Sequence, residues 1–356
     1  MSDDKLDVLR RRISEVNRRL LDDLNERLRL VNEVRELKQE RGLAMSDPAR
    51  EEQMMQELLA SNPGPMTEGQ LQEVFKVVFS VYLSHMERSA RQGLRVHRRE
   101  GEADRTVEAR GLGIGGAGTP VLIAGPCAIE DEQQLRRTAA HLAGLGCRLL
   151  RGGAYKPRTS PYSFQGLGNE GWRLLRQVAD EHGMAVVSEV VDPRHLEEMG
   201  ELVDVVQVGA RNMFNYELLK ELGQIGKPVL LKRSFMATLE ELVLAAEYVA
   251  SQGNDRIVLC ERGIRSFERW TRNTLDISAV PLLKQVTALP VIVDVAHAAG
   301  RRDILVPLAR ASLAAGADGI MIEVSPFPAS AASDAEHQLD LEATTRFVEQ
   351  VFGKRG

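Results

Sequence analysis

Four potential metal ligands stand just past, or at the ends of, short apolar runs: Cys127 after VLIAG, His297 after PVIVD, Glu323 closing GIMIE, and Asp334 in the segment beyond. A thiol, an imidazole and two carboxylates gathered at one rim would make a divalent-metal site of mixed softness. Such a set suits zinc, iron, manganese or cobalt without choosing among them. Taken singly, Cys127 reads as a core thiol and His297 as a capping or core histidine. A second group occupies equivalent points of neighbouring runs. Arg151, Lys156, Arg211, Lys232 and Arg262 are five cations in a chain of formal net charge −5. Such a cluster repels itself unless anions fill it, and guanidinium forks match phosphate and carboxylate oxygens. The expected substrates therefore carry phosphate. Glu189, Glu261 and Asp294 lie on the same runs.

The elements that must bring these residues together follow from the period of the apolar pattern. From residue 121 onward, VLIAG, CRLLRG, AVVSEV, VDVVQVG, PVLLKR, RIVLCER, PVIVDVAH and GIMIEV alternate with amphipathic helical stretches. Continuous apolar runs of this length are the mark of parallel strands buried on both faces. Eight such units predict a (β/α)8 barrel over residues 119–356, with its chemistry at the strand ends. Residues 92–118, charged and then glycine-rich, read as a linker with one short strand at VEARGLGI. Their GLGIGGAG has the letters of a dinucleotide fingerprint, but a strand rather than a helix follows it, which excludes that reading.

Residues 1–91 have a different period. Leu6, Leu9, Ile13, Val16, Leu20, Leu24, Val31, Val34 and Leu37 recur at helical spacing, with no Gly or Pro from 3 to 41. About 37 helical residues span roughly 55 Å, too long to stand without a partner helix covering the apolar stripe. Ser46 or Asp47 caps a second helix with Pro48 at its first position, NPGP at 62–65 ends it, and a third runs from about Thr67 to Arg91. Three cysteines in 356 residues, Cys127, Cys147 and Cys260, form no disulfide framework and fit a reducing compartment. No apolar run approaches the ~20 residues of a membrane span, and the charge balance offers nothing to nucleic acid or lipid. The expected location is the cytoplasm.

The long motifs AGPCAIE, LRGGAYKPRTSPYSFQGLG, GARNM, LLKR, CERGIRSFE, TRNTLDISAVP and VDVAHAAGRRD resemble the type I-beta 3-deoxy-D-arabino-heptulosonate-7-phosphate (DAHP) synthases over about residues 105–352. KPRTSP separates this branch from the related 3-deoxy-octulosonate-8-phosphate synthases. The resemblance implies one divalent metal ion (Mn, Fe, Co or Zn) on Cys127, His297, Glu323 and Asp334. It implies phosphoenolpyruvate on Arg151, Lys156, Ala210, Arg211, Lys232 and Arg262. Erythrose 4-phosphate would meet Lys156, Pro157, Arg158 and Thr159, with Asp294 and Asp334 near its aldehyde and hydroxyls. Lys156 would handle the proton, while Glu189 and Glu261 would position a water. One departure is EVSPFP, with Ser325 and Phe327 where the family usually has EVHPEP. Another sugar-phosphate aldolase on the same barrel is the alternative, and would form a Schiff base on Lys232.

Residues 6–90 resemble the all-helical chorismate mutases through Arg10, Arg27, Lys38 and DPARE, which supplies Asp47, Arg50 and Glu51. Arg27 and Lys38, eleven residues apart, lie on one helix face roughly 16 Å from each other. Arg10 is roughly 25 Å from Arg27 and about 100° around the helix, so it reaches a shared ligand only from a second protomer. That implies a homodimer or homotetramer. Met86 falls where the family carries a hydrogen-bonding Gln or Glu, and a thioether donates no hydrogen bond. The expected role is sensing of chorismate or prephenate that inhibits the barrel. A fully bifunctional enzyme with an active mutase is the alternative.

Overall fold

The structure, a computed structural model, describes residues 2–41, 47–156, 160 and 162–353. The chain forms two compact units, Met1–Gly93 and Leu94–Gly356.

In the first unit, α1 (Ser2–Glu40), α2 (Pro48–Ser61) and α3 (Glu68–Gln92) follow the helical periods. The Asp47 carboxylate accepts from the Arg50 N–H at 3.1 Å and caps α2, with Pro48 in the first turn. Tyr82 on α3 is buried and donates its hydroxyl to the Leu24 carbonyl of α1. The expected cover for α1 is incomplete within one chain. Leu6, Ile13 and Leu20 remain 46%, 60% and 54% exposed.

In the second unit, eight parallel strands close a barrel: β3 (Val121–Gly125), β4 (Leu149–Arg151), β5 (Ala185–Val190), β6 (Val205–Val208), β7 (Val229–Lys232), β8 (Ile257–Glu261), β9 (Val291–Asp294) and β10 (Gly319–Glu323). β10 pairs back onto β3 with Gly319 opposite Val121, which completes the cylinder. Each strand coincides with one of the eight apolar runs. The run PVIVDVAH stops as a strand at Asp294, and His297 lies in a short helix, Val295–Ala299, rather than on the strand itself.

Residues 94–118 differ from the expected linker because they fold with the barrel unit. β1 (Thr106–Ala109) and β2 (Leu112–Gly115) make an antiparallel hairpin with Val107 opposite Ile114. Val107, Ala109 and Ile114 pack with Val121, Ile123, Leu149, Ala185, Val205, Ile292 and Met321, residues that point into the barrel. The hairpin therefore plugs the end where the strands begin and leaves the opposite end for a site. Gly115 needs its missing side chain: at φ +87 a Cβ would fall 2.6 Å from Pro290 Cγ.

Candidate active site

The strand ends converge as expected. β3 delivers Cys127 through Gly125, whose φ of +152 and close approach to the Arg151 carbonyl (2.0 Å from a built Cβ) admit only glycine. The Cys127 thiol is buried, 3.0 Å from Asp334 Oδ2 and 3.1 Å from the Lys156 ammonium. Burial, and then the charge of Glu323, pushes this thiol up to about 12. A bound cation would reverse that direction, since a coordinating thiol is deprotonated.

Glu323, at the end of β10, is fully buried. Its Oε1 pairs with Arg151 and lies 3.6 Å from His297 Nε2, while its Oε2 lies 3.0 Å from His337 Nε2. Burial opposes its charge, yet His297, Arg151 and His337 around it hold the carboxyl well below the usual carboxylate range. Asp294 accepts from the His297 N–H at 3.0 Å and lies 2.7 Å from His297 Nδ1, fixing the ring with Nε2 toward Glu323. Burial lowers the His297 pKa despite Asp294 and Glu323, so the imidazole is neutral at neutral pH, the form that binds metal. Asp334 sits at φ +51, a left-handed conformation rare for a side-chain-bearing residue, in a turn after β10. Although burial and Glu323 oppose its charge, contacts with Cys127, His297 and Lys156 bring its pKa to about 2.

His297, Glu323, Asp334 and His337 place one ligand atom each within 4.8 Å of one another, with Cys127 bonded to Asp334 at the edge of this cluster. The donor types, the neutral imidazole, the buried Glu323 and the half-buried Asp334 fit a divalent ion.

Beside the cluster opens a cavity of about 590 Å³. Its walls carry Arg151, Lys156, Ala210, Arg211, Lys232 and Arg262, all six residues of the expected phosphoenolpyruvate set, together with Glu189, Ser160 and Ser163. Gly209 makes room for Glu189: a built Cβ would lie 2.1 Å from Glu189 Oε1. Arg265, Arg272 and Asn273 also face the cavity and were not singled out by the sequence reading; CERGIRSFE and TRNTLD, the motifs that hold them, were. Arg272 pairs with Asp334 at 2.9 Å and so joins the anion pocket to the ligand cluster.

Two expected residues lie elsewhere. Glu261 is fully buried outside the cavity wall, locked by Arg233 at 2.9 Å and by the Gly263 N–H at 2.6 Å. These partners brace it against Arg233 and the backbone of the strand end. Asp294 is likewise fully buried and is not among the residues of the cavity wall, with its carboxylate paired to Lys232 and His297. Pro157, Arg158 and Thr159 fall outside the described residues. Ser325 is buried, and Phe327 lies under the Arg137 guanidinium at 4.7 Å; neither lines the cavity.

In the helical unit, the Arg27 guanidinium sits 4.2 Å from the Tyr82 ring centroid and 5.3 Å from that of Phe79. Its Nη1, with Asn32 Oδ1 and Arg35 Nε, is buried without a hydrogen-bond partner among the described residues. Asn32 and Arg35 carried no signal in the sequence beyond their place on the same helix. Arg50 is engaged with Glu57 at 3.8 Å, Glu51 is half-buried in the first turn of α2, and Lys38 lies in the last turn of α1. Arg10 is exposed and bonds Asp7 at 3.3 Å. The Met86 side chain lies outside the described residues.

Fold and site together define a class: a (β/α)8-barrel enzyme whose open end joins metal-type ligands to a cavity walled by anion-binding side chains. The chain matches the DAHP synthetase I family over residues 103–354 and chorismate mutase type II over residues 9–87. It belongs to the DAHP synthetase I family and carries an N-terminal chorismate mutase type II domain. The phospho-2-dehydro-3-deoxyheptonate aldolase of Thermotoga maritima is 52% identical over 236 residues, 66% of this chain and 70% of that one. A crystal structure of the Thermotoga maritima DAHP synthase superposes with a TM-score of 0.70 at 49% identity, covering 72% of this chain and 75% of that one. The 2-dehydro-3-deoxyphosphooctonate aldolase of Acidithiobacillus ferrooxidans is 35% identical over 232 residues, 60% of this chain and 81% of that one. Among the described residues no helix is long and apolar enough to cross a membrane.

Proposed function

We propose that the barrel condenses phosphoenolpyruvate with erythrose 4-phosphate to DAHP and inorganic phosphate. The observation that carries this reading is the cavity itself, walled by Arg151, Lys156, Arg211, Lys232 and Arg262 beside the ligand cluster. Cys127, His297, Glu323 and Asp334 hold a divalent metal, which when bound polarises the aldehyde as a Lewis acid. Arg211, Lys232 and Arg262 bind the phosphate and carboxylate of phosphoenolpyruvate. Its C3 forms the new bond to the aldehyde carbon, water adds at C2, and the C2–O bond to phosphate breaks. Lys156 lies within reach of the ligand cluster and the cavity, and delivers the proton to the nascent hydroxyl. Glu189, which accepts from Gln207 at 3.1 Å on the cavity wall, positions the water.

The Schiff-base alternative is disfavoured by the surroundings of Lys232. Its nitrogen is buried in an ion pair with Asp294, an arrangement that engages it there instead of leaving it open to a substrate carbonyl. Phosphate release from the two substrates is expected to stop in EDTA and to return with added Mn, Fe, Co or Zn. Full activity in EDTA, or borohydride trapping of substrate on Lys232, would sink this reading.

For the helical domain, the proposed role is sensing of prephenate or chorismate in a homodimer or homotetramer. Support comes from the buried donors of Arg27 and Arg35 that find no partner among the described residues, and from the half-exposed apolar stripe of α1 that a second chain would cover. Prephenate is expected to inhibit the full chain, and Arg27→Ala to raise the inhibitory concentration at least tenfold. Loss of one charge-assisted ligand contact costs roughly 1.5–3 kcal/mol. Chorismate turnover by the full chain near one per second or above, within the ordinary enzyme range, would establish the active mutase instead.

A further inference from the structure

We infer that His337 is a direct ligand of the ion proposed for Cys127, His297, Glu323 and Asp334, so that this chain holds its metal through two imidazoles; the inference rests on that metal reading. His337 is 3% exposed, and its Nε2 lies 3.0 Å from Glu323 Oε2. Among the described residues neither atom has a partner in regular hydrogen-bond geometry, although both are buried. Two buried ligand-type atoms this close, clustered with those of His297 and Asp334, fit ligands gathered about a common third point. Ligands ~2.1 Å from one ion and at right angles are about 3.0 Å apart, the separation seen here. Glu323 Oε1 is already taken by Arg151, which leaves Oε2 for the ion on the side where His337 stands.

The segment that carries His337 is anchored. The Gln338 side chain accepts from the Cys127 N–H at 3.2 Å and donates to the Ser333 carbonyl at 2.8 Å. The turn is thereby tied to the Cys127 loop. Asp334 and His337, three residues apart within this turn, present ligand atoms to the same cluster as His297 and Glu323.

The test uses the full chain labelled with 15N-histidine, loaded with Mn(II) alone and read by pulsed EPR. Two imidazole couplings are expected in the unaltered protein. H337Q should leave one and weaken Mn(II) binding at least tenfold, the lower end of what losing even an outer partner costs (~10- to 100-fold). A single coupling that survives H337Q and disappears in H297Q would overturn the inference while leaving the metal reading intact. No imidazole coupling at all would overturn both. The count in the unaltered protein needs no variant to fold.

Discussion

Glu323→Gln is expected to reduce turnover at least a thousandfold, to strip the protein of metal, and to lower its melting temperature. The substitution keeps shape and removes charge. Glu323 is completely buried, and Arg151, His297 and His337 are all arranged about its two oxygens. Breaking a buried pair by removing one partner costs about 3–5 kcal/mol, because the remaining charge is left without compensation. For a unit of this size that corresponds to a fall on the order of 10 °C. Metal loss follows separately, since an amide is a far poorer ligand than a carboxylate for a hard or borderline ion. Metal analysis after gel filtration, a melt and phosphate release report the three effects independently. Retention of metal with turnover within tenfold of the unaltered enzyme would remove Glu323 from the centre of the site.

Lys156→Met carries the second large effect, an expected loss of about 10²- to 10³-fold in kcat with the barrel intact. That range is what removing one preorganised charged or hydrogen-bonding group costs where charge develops in a transition state. Burial opposes the Lys156 charge, but Cys127, Glu323 and Glu189 around it raise its pKa, so the ammonium persists across the neutral range. Its place, 3.1 Å from the Cys127 sulfur and on the cavity wall, is one that no other cation among the described residues fills in the same way. Methionine keeps most of the stem and should hold the melting temperature within a few degrees. Steady-state kinetics on both substrates decide the point: a fall of less than tenfold in kcat would assign the proton to another group.

Both predictions concern residues that were visible in the sequence, and the reason lies in the architecture. A parallel strand buried on both faces must be continuously apolar, so the polar residue that ends each run stands out. All eight strands were legible for that reason, and Arg151, Lys232, Asp294 and Glu323 with them. The N-terminal helices were legible through period and capping, as the Asp47 cap on α2 illustrates. Long motifs carried the family, which the matches over residues 103–354 and 9–87 bear out.

Other features depended on chain path. The hairpin of residues 106–115 is short and glycine-rich, and its membership of the barrel floor comes from Val107 and Ile114 meeting strands more than a hundred residues away. Glu261 and Glu189 end similar runs, but one turns toward Arg233 and the other toward the cavity, where Gly209 leaves it room. His337 belongs to a run with no periodic signal, and only the turn at Asp334 and the Gln338 anchor bring it to Glu323.

The sequence by itself therefore determined the barrel, the helical domain, the family, and the residue types that gather at the strand ends, because burial and period are written locally. Tertiary structure decided which of those side chains face one another, since distances between loops depend on how eight strands close into a cylinder.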